Sequence, residues 1–296
     1  MRVITLLPAA TEIVAALGGA GQLVGISHEC DYPPSVQHLP RVTITPVDIR
    51  APGAEIDAEV RRLREANQPV IGIDAEQLRV LAPDLIITQG LCDVCAVAEG
   101  QVHGLGTSIE PAPRILSLGA RDLGEIWDDI RRVGKALDLG NEAEELVVAL
   151  KSRLARIREA SPLIDARVLC IEWLAPLYLA GHWVPDLVDT AGGEDVGAQP
   201  GSHSARREWS ELGPLRPDLI IAMLCGFGVE RARAELEAVK DPVALDLFRQ
   251  VPVWIVDGNA YTSRPGPRVV DGAACIQLAL LGREGQDVER WLPQPD

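Results

Sequence analysis

Short β-branched apolar runs alternate with stretches in which apolar residues recur every three or four positions. That is the pattern of α/β units built on parallel strands. Residues 2–7 predict a first strand, Pro8-Ala9-Ala10-Thr11 its exit, and Ala10 or Thr11 the start of a helix stopped by Gly18-Gly19. Further strands are expected at 23–27, 69–73, 85–88 and 114–118. Leu123, Ile126, Trp127, Ile130, Val133 and Leu137 then keep a helical period, Asp138-Leu139-Gly140-Asn141 interrupts it, and 142–160 resumes it. The run is too long for an ordinary crossover. It predicts a helical strut over 121–160, broken near Gly140, between two lobes.

After the strut the pattern restarts. Residues 167–172 open with Arg-Val, as the first strand does, and a helix at 185–190 closes on Gly192-Gly193. Leu81-Ala82-Pro83-Asp84-Leu85-Ile86-Ile87 returns as Leu215-Arg216-Pro217-Asp218-Leu219-Ile220-Ile221. One such junction recurs by chance in many α/β proteins; three features in the same order predict two similar lobes. A strand at 253–257, a Gly/Pro-rich loop to Arg268 and a helix at 269–281 complete the chain. The expected division is an N-terminal lobe at 1–118, a connecting helix at 119–160 and a C-terminal lobe at 161–296.

Ligands of parallel α/β sheets bind beyond the carboxyl ends of the strands. The loops expected there carry Thr11 and Glu12; His28, Glu29, Cys30, Asp31 and Tyr32; Cys92 and Cys95; Trp173, Tyr178, His182 and Trp183; Cys225 and Phe227; Tyr261 and Arg264. Six of the chain's eleven aromatics lie in these loops. In so aromatic-poor a chain this predicts a wide apolar cleft, with packing at a lobe interface as the plainer alternative. Arg206 and Arg264 are candidates for an anionic group.

Charge narrows the partners. With 28 basic and 43 acidic residues the net charge is −15, which disfavours nucleic acid and anionic membranes. No apolar run approaches the ~20 residues of a membrane span, and no signal-peptide pattern opens the chain. As written it reads as cytoplasmic, and as periplasmic or cell-surface if a leader was removed. Cys170 and Cys275 sit in apolar runs and are expected in the core, whereas His38, His103 and His203 read as surface or turn residues. Cys30, Cys92, Cys95 and Cys225, with His28 and His182, have the chemistry of a zinc, copper or iron–sulfur site. A lone Cys-x-x-Cys is equally a pair of reduced loop cysteines. Cys30, Cys92 and Cys95 are expected to lie close together, with His28 or His182 in reach. Glu12, Glu29, Asp31 and Glu172 offer acid–base groups, but nucleophile-elbow, P-loop and HExxH motifs are missing.

Arg2-Val3-Ile4-Thr5-Leu6-Leu7-Pro8-Ala9-Ala10-Thr11-Glu12, Ser27-His28-Glu29-Cys30-Asp31-Tyr32-Pro33 and both Pro-Asp-Leu-Ile-Ile junctions resemble the helical-backbone (class III) substrate-binding proteins of ABC importers, in their cobalamin-binding branch. Cys92-Asp93-Val94-Cys95, Cys225-Gly226-Phe227 and the 257–267 loop are similar to a sub-branch of it. The resemblance runs from residue 1 to about 285. It implies two Rossmann-like lobes with mainly parallel sheets, joined by one long helix, with little hinge motion and the ligand between them. It implies a non-enzymatic, monomeric binder of a corrinoid or related metal chelate that needs no cofactor and has an ABC permease as partner; zinc or iron belongs to the cysteine alternative. It also implies one acidic permease-docking residue per lobe. Glu76 matches the first, while the second position holds Ser210 with Glu211 beside it.

Overall fold

The computed structural model describes residues 1–90, 97, 102, 104, 110–161 and 166–293. Cys92, Cys95 and His103 lie outside the described residues. The chain forms two compact units, one of Met1–Ala51, Glu55–Ala120 and Gly124–Ala149, the other of Pro52–Ala54, Arg121–Leu123 and Leu150–Asp296.

In the first unit, strands β1 (Val3–Thr5), β2 (Leu23–Gly25), β5 (Leu85–Gln89) and β6 (Arg114–Leu118) form a parallel sheet in the order β2-β1-β5-β6. The helix Pro8–Ala16 follows β1 directly, with Pro8 in its first turn, where a missing N–H costs nothing. The strand expected at 69–73 is a departure. Only Gly72–Ile73 is extended, as β4, and it leaves the main sheet to pair antiparallel with β3 (Thr43–Ile44). Val70, Ile71 and Ile73 instead fill the core beside Ile4, Leu6, Val42 and Ile86. That apolar run reports burial, which periodicity alone cannot distinguish from a sheet strand.

The second unit is built on β7 (Ala166–Leu174), β8 (Leu177–Leu179), β9 (Gly193–Asp195), β10 (Ala205–Arg206), β11 (Leu219–Ala222), β12 (Val253–Val256) and β13 (Val288–Trp291). Their order is β10-β8-β7-β11-β12-β13, with β9 also on β7. β7, β9, β11 and β12 run parallel, and β8, β10 and β13 are antiparallel additions. The helical run is two helices, Leu123–Ala136 and Gly140–Ala160, separated where the pattern breaks. Asp138 there has φ of 60°, a left-handed conformation that Asp tolerates better than most residues. The division between the units falls inside the second helix, between Ala149 and Leu150.

Both units contain the same junction, atom for atom. The N–H of Arg2 donates to Asp84 Oδ2 at 2.6 Å, and the Asp84 N–H returns to the Arg2 carbonyl at 2.8 Å. In the second unit the Arg167 N–H donates to Asp218 Oδ2 at 2.9 Å, and the Asp218 N–H returns to the Arg167 carbonyl at 2.8 Å. Each Arg side chain reaches the carbonyls two or three residues before its Asp. Each residue before the Pro is left-handed, Ala82 at φ 37° and Arg216 at φ 48°. The repeat therefore starts the first central strand against the preceding turn in each unit. Asp84→Ala and Asp218→Ala are each expected to remove about 1–2 kcal/mol, read as a fall in the urea midpoint of the altered unit. A change confined to one of the two would show the junctions are not equivalent.

Candidate functional site

The antiparallel hairpin of the second unit builds an aromatic face. Trp173 on β7 pairs directly with Tyr178 on β8, and Tyr178 pairs with Arg206 on β10. Residues opposite one another across strands share a face. Leu177 and Leu179 point the other way and are buried, while Trp173 and Tyr178 are half-buried and Arg206 is exposed. Phe227, from the loop after β11, extends the row; its ring centroid is 5.3 Å from that of Trp173. The Arg231 guanidinium lies 3.6 Å over the Phe227 ring, a cation–π contact. Trp173 Nε1 donates to the Ala175 carbonyl at 3.1 Å, which fixes the indole.

The loops after β11 and β12 hold Phe227 in place. The N–H groups of Gly258 and Asn259 both donate to the Phe227 carbonyl, at 3.1 and 3.2 Å. Asp257 Oδ1 accepts the Ala260 N–H at 2.7 Å and opens a single helical turn, Gly258–Thr262. Burial pushes the Asp257 carboxyl up, and the bond from Ala260 works against that shift. Buried Trp183 donates its Nε1–H to the Thr262 carbonyl at 2.9 Å, and buried Arg264 donates to Asn259 Oδ1 at 2.7 Å. Tyr261 donates to Asp287 at 2.7 Å, and its hydroxyl is raised by burial and then by that carboxylate. Trp183, Tyr261 and Arg264 thus act as a frame for the loop, in addition to any contact with a ligand. Cys225 is half-buried in the same loop region, its N–H bonded to the Glu172 carbonyl at 2.9 Å.

His182 is placed apart from the aromatic row. β8 runs antiparallel, so its exit points away from the carboxyl ends of β7, β11 and β12. β8 ends at Leu179, and His182 lies in the turn beyond it. His182 has φ of 55°, its N–H bonds the Ser202 carbonyl at 2.6 Å, and its ring meets His203 edge-on at 5.4 Å. Burial, then His203 and Arg121, lower its pKa. Nothing in the sequence pattern marks the His182–His203 pair, because their meeting depends on the β8–β10 pairing.

In the first unit Thr11 and Glu12 are buried on the Pro8–Ala16 helix. Thr11 Oγ1 lies 2.6 Å from Thr5 Oγ1 and 3.0 Å from Cys30 Sγ, so Cys30 is a buried partner of that hydroxyl chain. His28 Nδ1 meets Thr43 Oγ1 at 2.6 Å, and burial followed by the Arg41 charge lowers its pKa. Glu29 is half-buried, and Asp31 and Tyr32 are exposed. β1 separates β2 from β5, so those two strands are about 10 Å apart; the expected meeting of Cys30 with Cys92 and Cys95 lies outside the described residues. Among the described residues no three His, Cys, Asp or Glu side chains converge on a metal-sized position. Glu76 is exposed in the first turn of the Ala75–Leu81 helix. Glu211 is committed locally: its carboxylate accepts the Glu208 N–H at 2.6 Å and faces Arg207 at 3.9 Å.

The model of the periplasmic binding protein family matches residues 3–250. A vitamin B12-binding protein of Vibrio cholerae is 24% identical over 293 residues, covering 96% of this chain and 91% of that protein. An uncharacterized ABC transporter substrate-binding lipoprotein of Bacillus subtilis, YvrC, is 23% identical over 165 residues, which is 55% of this chain and less than half, 43%, of that protein. A periplasmic heme-binding protein from Pseudomonas aeruginosa has the same fold, with a TM-score of 0.69 at 19% identity over 99% of this chain and 95% of that one. Two mainly parallel α/β units, a helix shared between them and a family match over most of the chain lead to one assignment: the protein belongs to the periplasmic binding protein family.

Proposed function

We propose that this protein is the ligand-binding component of an ABC importer and takes a corrinoid or related large metal chelate. The observation that carries the reading is the pair Tyr178 and Trp173, half-exposed on one face and backed by the buried ring of Phe227, on an otherwise aromatic-poor chain. Flat conjugated ligands gain most from such faces. The vitamin B12-binding and heme-binding relatives make a metal macrocycle the first ligand class to try. Binding rather than catalysis fits the fixed, hydrogen-bonded frame of Trp183, Asn259 and Arg264.

In this reading the protein works outside the cytoplasmic membrane; no helix among the described residues is long and apolar enough to cross one. Glu76, exposed at a helix start, is the residue to meet an arginine of the permease. Glu211 takes the second docking role only by giving up its bond to the Glu208 N–H.

Titration with cyanocobalamin, followed by visible absorbance and calorimetry, is expected to give saturable one-to-one binding. Trp173→Ala should weaken it roughly 30-fold, the effect of removing a central Trp anchor. No heat and no spectral change at high micromolar ligand would sink the proposal.

A further inference from the structure

The aromatic row ends on a cation. Arg206 is paired in register with Tyr178 and leaves the sheet on the same face. It is exposed, and its guanidinium has no hydrogen bond or ion pair among the described residues. Its neighbour in sequence, Arg207, instead faces Glu211 at 3.9 Å. Arg231 stacks on the buried ring of Phe227. The exposed part of the face is thus aromatic at Trp173 and Tyr178 and carries Arg206 at its β10 edge.

Most exposed arginines are simply solvated. What sets Arg206 apart is its position. A flat ligand lying on Tyr178 and Trp173 would cover the base of the side chain and exclude water from one side of the guanidinium. A neutral ligand edge there would strand a partly desolvated cation, whereas an anionic one would form a charge-assisted, bidentate contact.

We infer that the ligand of this face is a flat, conjugated macrocycle bearing an anionic substituent, a carboxylate or a phosphate, and that Arg206 is the residue that reads that charge. The inference rests on the aromatic row being the ligand face.

The test uses two matched pairs of probes. Haemin and haemin dimethyl ester differ by carboxylates; cyanocobalamin and dicyanocobinamide differ by the phosphate-bearing nucleotide. Each is titrated into the full chain, Arg206→Gln and Arg207→Gln, by absorbance and tryptophan quenching at low and high salt. The unaltered protein should prefer the anionic member of one pair by about tenfold, and the preference should shrink with salt. The favoured pair separates carboxylate from phosphate. Arg206→Gln should abolish the preference and leave the uncharged probe's affinity unchanged, which also shows that the variant is folded. Arg207→Gln, on the other face, should keep it. Equal affinities within both pairs, or a preference that survives Arg206→Gln, would overturn the inference while the aromatic-face reading stands. If none of the four probes binds, both fall.

Discussion

Gly258→Ala should destabilise the second unit by about 3 kcal/mol, the upper end of the usual cost of overpacking a closed site. A Cβ on Gly258 would lie 2.8 Å from the carbonyl carbons of Leu224 and Met223 and closer still to the Leu224 oxygen. All of these are backbone atoms at the end of β11, so no side chain can rotate away. The loop after β12 would have to separate from the loop after β11, breaking the bonds from Gly258 and Asn259 to the Phe227 carbonyl. Phe227 would then lose its position beside Trp173. Gly226 is the matched control: its φ is 74° but a Cβ there meets nothing within 4 Å, so Gly226→Ala should cost only about 1–2 kcal/mol of backbone strain. Urea unfolding of both variants, with near-ultraviolet dichroism to follow the aromatics, is the measurement. A Gly258→Ala protein no less stable than Gly226→Ala would show that the two loops are not in close contact.

The parallel cores of both units were legible because buried parallel strands read as short apolar runs. The Pro-Asp junction was legible because the repeat is a hydrogen-bonded device that needs those residue types: Asp84 and Asp218 each hold the N–H of the Arg that opens a central strand. The antiparallel additions were hidden. β8 is three residues long, β10 is two, and β13 follows the last helix. None spans enough positions to show an alternation, and their pairing is decided by neighbours far along the chain. That blindness moved His182, which reads as a loop residue near Trp173 but stands beyond the end of an antiparallel strand.

The candidate site divides along the same line. Trp173, Tyr178 and Phe227 were visible as aromatics between strands, and Arg206 as a charge in a basic turn. Their meeting on one face required the register of the β7–β8–β10 ladder. Glu211 illustrates the opposite case. It stands one residue beyond the expected docking position, which holds Ser210, and local hydrogen bonding with Glu208 uses its carboxylate.

A second large effect is expected at Asp195, at the end of β9. The side chain is buried, Oδ1 accepts the N–H groups of Gly197 and Ala198 at 2.8 and 3.1 Å, and Oδ2 is buried with no partner at hydrogen-bond distance. Burial raises its carboxyl from 3.8 to about 6, although the two N–H bonds and the adjacent Cys170 thiol favour the charged form. The Cys170 thiol is itself raised, first by burial and then by this carboxylate. With the folded value above the unfolded one, the folded state holds the proton more tightly. The stabilisation from protonated Asp195 is complete below pH 4 and is lost as the pH rises to about 6. The gap corresponds to about 3 kcal/mol of penalty at pH 7. Asp195→Asn keeps an acceptor for Gly197 and Ala198 and removes the charge. The variant should match the unaltered protein near pH 4 and exceed it by about 1–3 kcal/mol at pH 7, with the difference opening between those values. Urea unfolding at half-unit steps from pH 4 to pH 8 measures it. A difference that stays constant with pH would mean that Asp195 is already ionised throughout and that its burial carries no penalty.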